Sequence, residues 1–493
     1  MSNLKIEIEN IGMIKKANMQ CDGLTVITGR NSSGKTTVGR LLYSVVNASA
    51  NSAQELENSK VHFLVDRIRE ISDYHRIYIL YRKSDLSYRN NDEYPFIDYR
   101  NSSYAQFFMD IVRFRQQVFI VDYINNSNDL LAIIQRIKDL YQDMDMLGFR
   151  SIVKDSGSLG DHMNERMKSR AIEKHRFEQL KKEIIEACDA AIKTINDNDD
   201  EIRFIQARTR NFLMKEFHNQ IKPIANAKSQ AKARLTEDDQ VIEEFAISDD
   251  FSFSDQGSYD MPFQRAIFID NPFVLDHMSL GSRFANMYQD HGNAFESYAN
   301  TAFHNDALIE MLRTPLNMDY FEEVKSIERL KMIDRKLNEI IPGEFRWLNG
   351  EFYYAMDQAN LHVDNLATGS NQFSILKILL KNGYLDGKTL LIFDEPESHL
   401  HPEWIQMFAE LIVLLIKGAG VGVLLATHSA DLLLALEVHA KKHDIQDITH
   451  MYMSEKEKDG VYMREMTESS EAYAHLSVPF LQMNLEKEFL EGK

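Results

Sequence analysis

The run Gly29-Arg-Asn-Ser-Ser-Gly34-Lys35-Thr36-Thr37 constrains this chain more than any other stretch. It follows Leu24-Thr-Val-Ile-Thr28, a β-branched apolar run that reads as a buried strand, and it opens a helical pattern over Val38–Val46. A strand, a glycine-rich loop and a helix in that order make a cradle for phosphate. Gly29 and Gly34 let the loop wrap an anion with its backbone N–H groups, with Asn31, Ser32 and Ser33 between them. Lys35 would reach the β- and γ-phosphates, Thr36 completes the motif and would offer its hydroxyl to Mg²⁺, and Thr37, the next residue, would join the ATP-binding set. ATP with Mg²⁺ is therefore the expected cofactor. A chance glycine-rich turn is the plain alternative, but it leaves the flanking strand and helix unexplained.

Three further stretches fit the same chemistry. Leu390-Leu-Ile-Phe-Asp394-Glu395 is an apolar strand that delivers two carboxylates at its C-terminal end. Asp394 suits the Mg²⁺ shell, and Glu395 suits the polarisation of an attacking water. Acidic residues also end strands as solvated caps, so the pair gains its weight from the loop at Lys35. Leu424-Leu-Ala-Thr-His428-Ser ends a second apolar strand at a polar cluster, where His428 would hydrogen-bond a γ-phosphate oxygen or the water. Leu366-Ala367-Thr368-Gly369-Ser370 precedes a helix over Gln372–Lys381. It reads either as a plain cap by Ser370 or Asn371, or as an anion-binding helix N-terminus.

Length and patterning give the organisation. At 493 residues the chain exceeds one ordinary core. It holds only 21 glycines and nine prolines, about half the average share, which points to much helix. Leu4–Ile8 and Ala17–Gln20 read as short strands, and Ile77–Tyr81 and Val118–Val121 as further strand-like pieces. Three-four spacing predicts helices over 128–143, 161–195 and 201–220, then an acidic loop, a strand Ala266–Asp270 and helices within 303–341. Phe345-Arg-Trp-Leu and Glu351-Phe-Tyr-Tyr flank Asn349-Gly350, a hairpin signal. The final third alternates helix and strand, as βαβ units on a parallel sheet do. The expected fold is α/β: a P-loop head with a mixed sheet and βαβ core, plus a large helical insertion. Its expected division is an N-terminal lobe over 1–125, a helical insertion with an acidic loop over 126–264, a return segment over 265–344 and a C-terminal lobe over 345–493.

Composition narrows the class. Cys21 and Cys188 stand in no CxxC or Cys/His cluster, so neither a zinc site nor a disulfide framework is expected, and a reducing cytoplasm is the natural compartment. The start lacks a signal-peptide layout, and the most apolar stretch, Leu411–Ile416, is far shorter than a membrane span of about 20 residues. The net charge of −19 argues against a surface that coats a polyphosphate, although it leaves room for a local basic groove. Eight Lys or Arg and one acid, Glu216, lie between Arg203 and Arg234, followed by nine acids and no Lys or Arg up to Gln264. A solvated face beside an acidic loop is one reading; a nucleic-acid or partner groove gated by the acidic segment is the other.

The order of the motifs resembles the ABC-type ATPases, and within them the SMC/RecF/OLD branch. Asp394-Glu-Pro-Glu-Ser-His-Leu-His-Pro402 resembles that branch's extended Walker B and D-loop, Ala426-Thr-His-Ser-Ala-Asp-Leu-Leu its His-switch, and Ile6-Glu-Ile-Glu-Asn-Ile-Gly with the P-loop its opening hairpin. The resemblance implies a head-to-head homodimer, or a higher homo-oligomer, with two ATPs sandwiched. Lys35, Thr36, Asp394, Glu395 and His428 would come from one protomer and the signature loop Ala367–Ser370 from the other. Ala367 and Thr368 depart from the LSGGQ pattern. Either the Thr368 hydroxyl substitutes or hydrolysis is slow. The candidate Q-loop is Asp270-Asn-Pro272.

OLD-type proteins carry a Toprim nuclease after the ATPase, and the residues after His428 hold no Asp-x-Asp. The chain thus resembles the separate ATPase subunits of anti-phage operons, such as those of the Septu and PARIS systems. That implies a sensor or scaffold that controls a separate nuclease effector and answers a phage-derived trigger. The alternative is a RecF- or SMC-like DNA repair factor, and a transporter ATPase subunit is a third possibility. The C-terminal segment Tyr473–Phe489 would dock a partner or cap the core.

Overall fold

In the computed structural model, the described residues are 3–86, 126–143, 163–197, 200–223, 229–277, 304–316, 320–348, 351–356, 359–366, 368–466 and 469–490. Strands β1 (Leu4–Ile11), β2 (Ile14–Gln20) and β3 (Leu24–Gly29) lead into helix α1 (Lys35–Ser49). Helices α2 (Ser52–Leu86), α3 (Ser127–Asp143), α4 (Met163–Asp197) and α5 (Glu201–Glu216) follow, then strands β4 (Ala231–Glu237), β5 (Gln240–Ile247), β6 (Phe251–Phe253) and β7 (Arg265–Ile269). Next come α6 (His304–Arg313), α7 (Tyr320–Ile340), β8 (Glu344–Leu348), β9 (Glu351–Met356), β10 (Ala359–His362) and α8 (Thr368–Lys381). The chain continues with β11 (Thr389–Asp394), α9 (Pro402–Ala419), β12 (Gly422–Thr427), α10 (Ala430–Lys442), β13 (Thr449–Lys456), β14 (Val461–Glu465) and α11 (Ser470–Leu490).

One sheet of eleven strands runs β6-β5-β4-β1-β2-β14-β13-β3-β12-β11-β7. Its block β13-β3-β12-β11-β7 is parallel throughout. Because helices cover both faces of that block, β3 and β12 are buried at every position, and they therefore read as unbroken apolar runs rather than alternating ones. Successive side chains serve opposite layers. Leu391 and Phe393 of β11 join the core under α7–α10, and Leu390 and Ile392 join the core under α1. The α1 layer also covers the antiparallel wing, where Ala231, Ala233 and Leu235 of β4 face inward.

The chain divides into two units, one of residues 1–50 with 205–493 and one of residues 51–204. The insertion therefore starts at Asn51 and ends at Phe204, not at 126 and 264. Two elements account for the difference. Ile77–Tyr81 belongs to the 35-residue helix α2, not to a strand, because its β-branched and aromatic residues sit in a longer helical context. The acidic stretch after Leu235 is not a loop. It completes β4 and forms β5 and β6, with Arg234 opposite Glu244. Within the second unit Leu64 and Ile68 of α2, Leu130 and Ile134 of α3, and Ile184 and Cys188 of α4 form a core of their own. Val118–Val121 and the Asn349-Gly350 turn lie outside the described residues, although β8 and β9 pair as the hairpin reading requires. Among the described residues no helix is long and apolar enough to cross a membrane.

Candidate nucleotide site

The P-loop lies between the end of β3 and the start of α1, and Gly34 caps the helix with φ +77°, a conformation that favours glycine. Thr37 N donates to Gly34 O at 3.1 Å and closes the first turn. Ser33 Oγ lies 2.5 Å from Ser454 Oγ, which in turn donates to Thr28 O, so β13 braces the loop from the far side. Lys35 is 4% exposed and its Nζ donates to the carbonyls of Gly29 and Arg30 at 3.2 and 3.1 Å. Burial lowers its pKa, against the pull of Glu395, Asp394 and Glu397. A polyanion on the loop would reverse that balance.

Strand order then decides which side chains meet. β12 lies between β3 and β11, with Asp394 in register with Ala426 and Thr28 with Thr427. The C-terminal ends of the P-loop strand, the His strand and the Asp-Glu strand therefore come level. Thr36 Oγ1 donates to Asp394 Oδ2 at 2.5 Å, across 358 positions of sequence. α1 reaches β11 this closely because Gly39 carries no side chain. A Cβ there would stand 2.9 Å from Ile392 Cγ2. Burial, followed by the neighbouring Glu395, raises the Asp394 pKa, and Thr36 and Lys35 offset part of that rise.

Glu395 adopts φ 50°, ψ 50°, a left-handed conformation rare for a residue with a side chain. Pro396 follows it and disfavours the right-handed alternative. Glu395 N donates to Ala426 O at 2.8 Å, which ties the turn to β12. Its Oε1 lies 3.3 Å from His428 Nδ1, with the two side chains 37% and 42% exposed. The pair is thus open to a ligand. Glu397 holds it from behind. The buried Oε1 of Glu397 accepts from Thr427 Oγ1 at 2.6 Å and from His428 N at 3.2 Å. Ser429 then caps α10 by accepting from Leu432 N.

Asp270, Asn271 and Pro272, the candidate Q-loop, follow β7 and line one cleft of about 180 Å³ with Gln372, Asp394, Glu395, Ser398 and His399. In the signature segment, Thr368, Gly369 and Ser370 form the first turn of α8, and Ala367 lies outside the described residues. The helix starts at Thr368, so Ser370 and Asn371 sit inside it rather than capping it. Gly369 lies against the D-loop, where a Cβ would stand 3.0 Å from His399 O.

A family model described as AAA ATPase domain matches residues 1–433. The chain belongs to that family. No curated protein matches the sequence. Among solved structures it is similar to an SMC head bound to the C-terminal winged-helix domain of ScpA, at 10% identity over 95% of this chain and 98% of that one, with a TM-score of 0.34. It is also similar to a Pyrococcus furiosus Smc head with an extended coiled coil, bound to the C-terminal domain of ScpA, at 9% identity over 97% and 99%, TM-score 0.37. The SMC head domain from Thermotoga maritima matches at 10% identity over 50% and 77%, TM-score 0.27. For this AAA-family ATPase domain, the assignment of site residues rests on the chain's own geometry.

Sequence reasoning brought Lys35, Thr36, Asp394, Glu395 and His428 to one place, and these five do converge. It gave no role to Glu397 or Ser454. Glu397 stood inside a quoted motif without a partner in view, and Ser454 belongs to no motif at all. Part of the basic run is engaged within the chain. Arg208 donates to the carbonyls of Ala50 and Asn47, Arg210 pairs with Asp250, and Lys222 donates to Ser248 O. The C-terminal helix packs in part on the head, with Ala472 buried and Tyr473 Oη donating to Glu437 at 2.5 Å, while Met483, Leu485 and Leu490 are exposed. Among the described residues, one cluster away from this site has metal-ligand spacing: Glu410, His439 and His443. Glu410 is already bridged to Lys336 and Lys442 at 2.8 and 2.9 Å, and those ammonium groups repel a cation.

Proposed function

We propose that this chain binds and hydrolyses ATP, and that ATP draws two copies together head to head. The observation that carries this reading is the Thr36–Asp394 contact, which joins the P-loop to the Asp-Glu strand. A hydroxyl and a carboxylate at that distance suit a shared Mg²⁺, so Thr36 and Asp394 would hold the ion, which would neutralise charge on the phosphates. Lys35 and the N–H groups of residues 29–37 would bind the phosphates. Glu395 would accept a proton from the water that attacks the γ-phosphorus as the bond to the bridging oxygen breaks, giving ADP and phosphate. His428, held by Glu397, would orient that water or a γ-phosphate oxygen. The exposed faces of Glu395 and His428 are where a second copy would bring its signature turn, Ala367–Ser370.

The wider role we favour is a cytoplasmic sensor or scaffold that controls a separate nuclease effector in anti-phage defence, answering a phage-derived trigger. It is supported by the order of the motifs and the acidic surface. A RecF- or SMC-like DNA-binding role would need a free basic face, and the internal engagement of Arg208, Arg210 and Lys222 weighs against it.

Lys35→Ala should lower ATP affinity at least a hundredfold in equilibrium dialysis, and unchanged affinity would remove the P-loop from its role. Co-expression with a neighbouring reading frame that encodes a nuclease, where the genome carries one, tests the wider role. Phage protection that needs both genes and an intact Lys35 supports it. Tight, strongly salt-dependent DNA binding by the chain alone would sink it.

A further inference from the structure

A second charged cluster borders the same cleft and has no part in the site described so far. β7 and β11 pair in parallel with Ile269 opposite Phe393, so the next residues, Asp270 and Asp394, come level at the strand ends. Two carboxylates there, with Glu395 beyond, repel one another. The counter-charge comes from His304, at the start of α6 and 5% exposed. Its Nε2 lies 2.9 Å from Asp270 Oδ2, and its Nδ1 lies 2.8 Å from Glu216 Oε2. Its backbone N also donates to Glu216 Oε1 at 2.8 Å. The Glu216 contact is a hydrogen bond and the Asp270 contact is a close ion pair without hydrogen-bond alignment, and the two carboxylates together favour the charged form of the ring. Phe268 and Tyr43 pack on it at ring distances of 4.6 and 5.9 Å, which fixes its plane.

Nothing in this arrangement satisfies Asp270 completely. Its Oδ1 is buried and has no hydrogen-bond partner among the described residues, yet Asp270 lines the cleft beside Asp394 and Glu395. An orphaned buried acceptor is unfavourable, and a buried charged cluster is not in general stabilising over an apolar one. A purely structural role explains neither feature. Resting on the ATP–Mg²⁺ reading above, we propose that His304 is a positioning residue: clamped to Glu216, it holds Asp270 so that the free Asp270 oxygen accepts a hydrogen bond from a water of the nucleotide-bound Mg²⁺.

The test is a Mg²⁺ titration of fluorescent ATP-analogue binding to the full chain, a readout that needs no turnover. In saturating Mg²⁺, His304→Gln and Asp270→Asn should bind the analogue within about twofold of wild type. The Mg²⁺ needed for half-maximal binding should rise about tenfold, the usual cost of losing an outer-shell partner. Turnover should show the same split, with kcat falling and KM for ATP little changed. An unchanged Mg²⁺ requirement in Asp270→Asn overturns the inference, and so does a loss of affinity at every Mg²⁺ concentration, which marks a structural role. Should His304→Gln fail to fold, Asp270→Asn alone decides. Wild-type chain that binds the analogue no better than Lys35→Ala would refute the ATP-site reading itself, and the inference with it.

Discussion

Glu395–His428 and Glu216–His304–Asp270 each join a histidine to carboxylates at the same cleft, yet they are built in opposite ways. In the first, both side chains are more than a third exposed and stand 3.3 Å apart. In the second, the Glu216 and His304 side chains are 0% and 5% exposed, and both ring nitrogens lie within 3 Å of a carboxylate oxygen. Exposure leaves the first pair free to exchange partners with a substrate. Burial commits the second to one arrangement, because separating its charges inside the protein is expensive. One cleft thus combines an accessible pair with a buried cluster that keeps its shape.

The division can be broken at either end. Glu395→Gln should lower turnover about a thousandfold while ATP binding persists, and ATP-loaded dimers should accumulate on size exclusion. Rapid hydrolysis by that variant would take Glu395 out of the chemistry. Next in size is the effect of pH on stability through His304. Burial alone would lower its pKa, but Asp270 and Glu216 outweigh that and raise it to about 9, with Arg40, Tyr43 and Asp306 also close to the cluster. The folded pKa lies above the unfolded one, so the contribution is full below about pH 6.5 and is lost as pH rises through about 9. Wild type should shed about 3 kcal/mol over that window that His304→Gln does not, as read by denaturant unfolding. Parallel pH profiles would mean that the ring is not an imidazolium.

Glu397→Gln sharpens the comparison, because it weakens the support behind the exposed pair without touching substrate. A loss of about 1–2 kcal/mol in stability is expected, together with a modest fall in kcat, from the weakened bonds to Thr427 and the His428 backbone. The smallest effect belongs to Lys5→Ala on the outer wing. Its partner Asp239 has an 89% exposed side chain, so the change in midpoint should stay within the error of a thermal melt.

The two clusters also differ in how far they could be read beforehand. Asp394, Glu395 and His428 end apolar strands, and an apolar run followed by a polar cluster can be seen without a fold. Glu216, His304 and Asp270 come from three distant segments, and each alone looks like an ordinary helix-end or strand-end residue. The wing was misread for a similar reason. Lys232 and Arg234 alternate with Ala231, Ala233 and Leu235 in a period of two, the mark of a half-buried strand, and the abrupt change of charge after Leu235 masks that period. Glu243 points inward on β5 where an apolar residue would be expected, and its burial raises its pKa to about 8.

By itself, the sequence determined the glycine-rich loop, the buried parallel strands and the helices that follow them, because local period and glycine placement dictate those directly. Tertiary structure alone decided that β12 lies between β3 and β11, that the insertion begins at Asn51, and that His304 stands between two carboxylates. Strand order and the pairing of distant charges depend on which surfaces bury each other, and no local window of sequence contains that information.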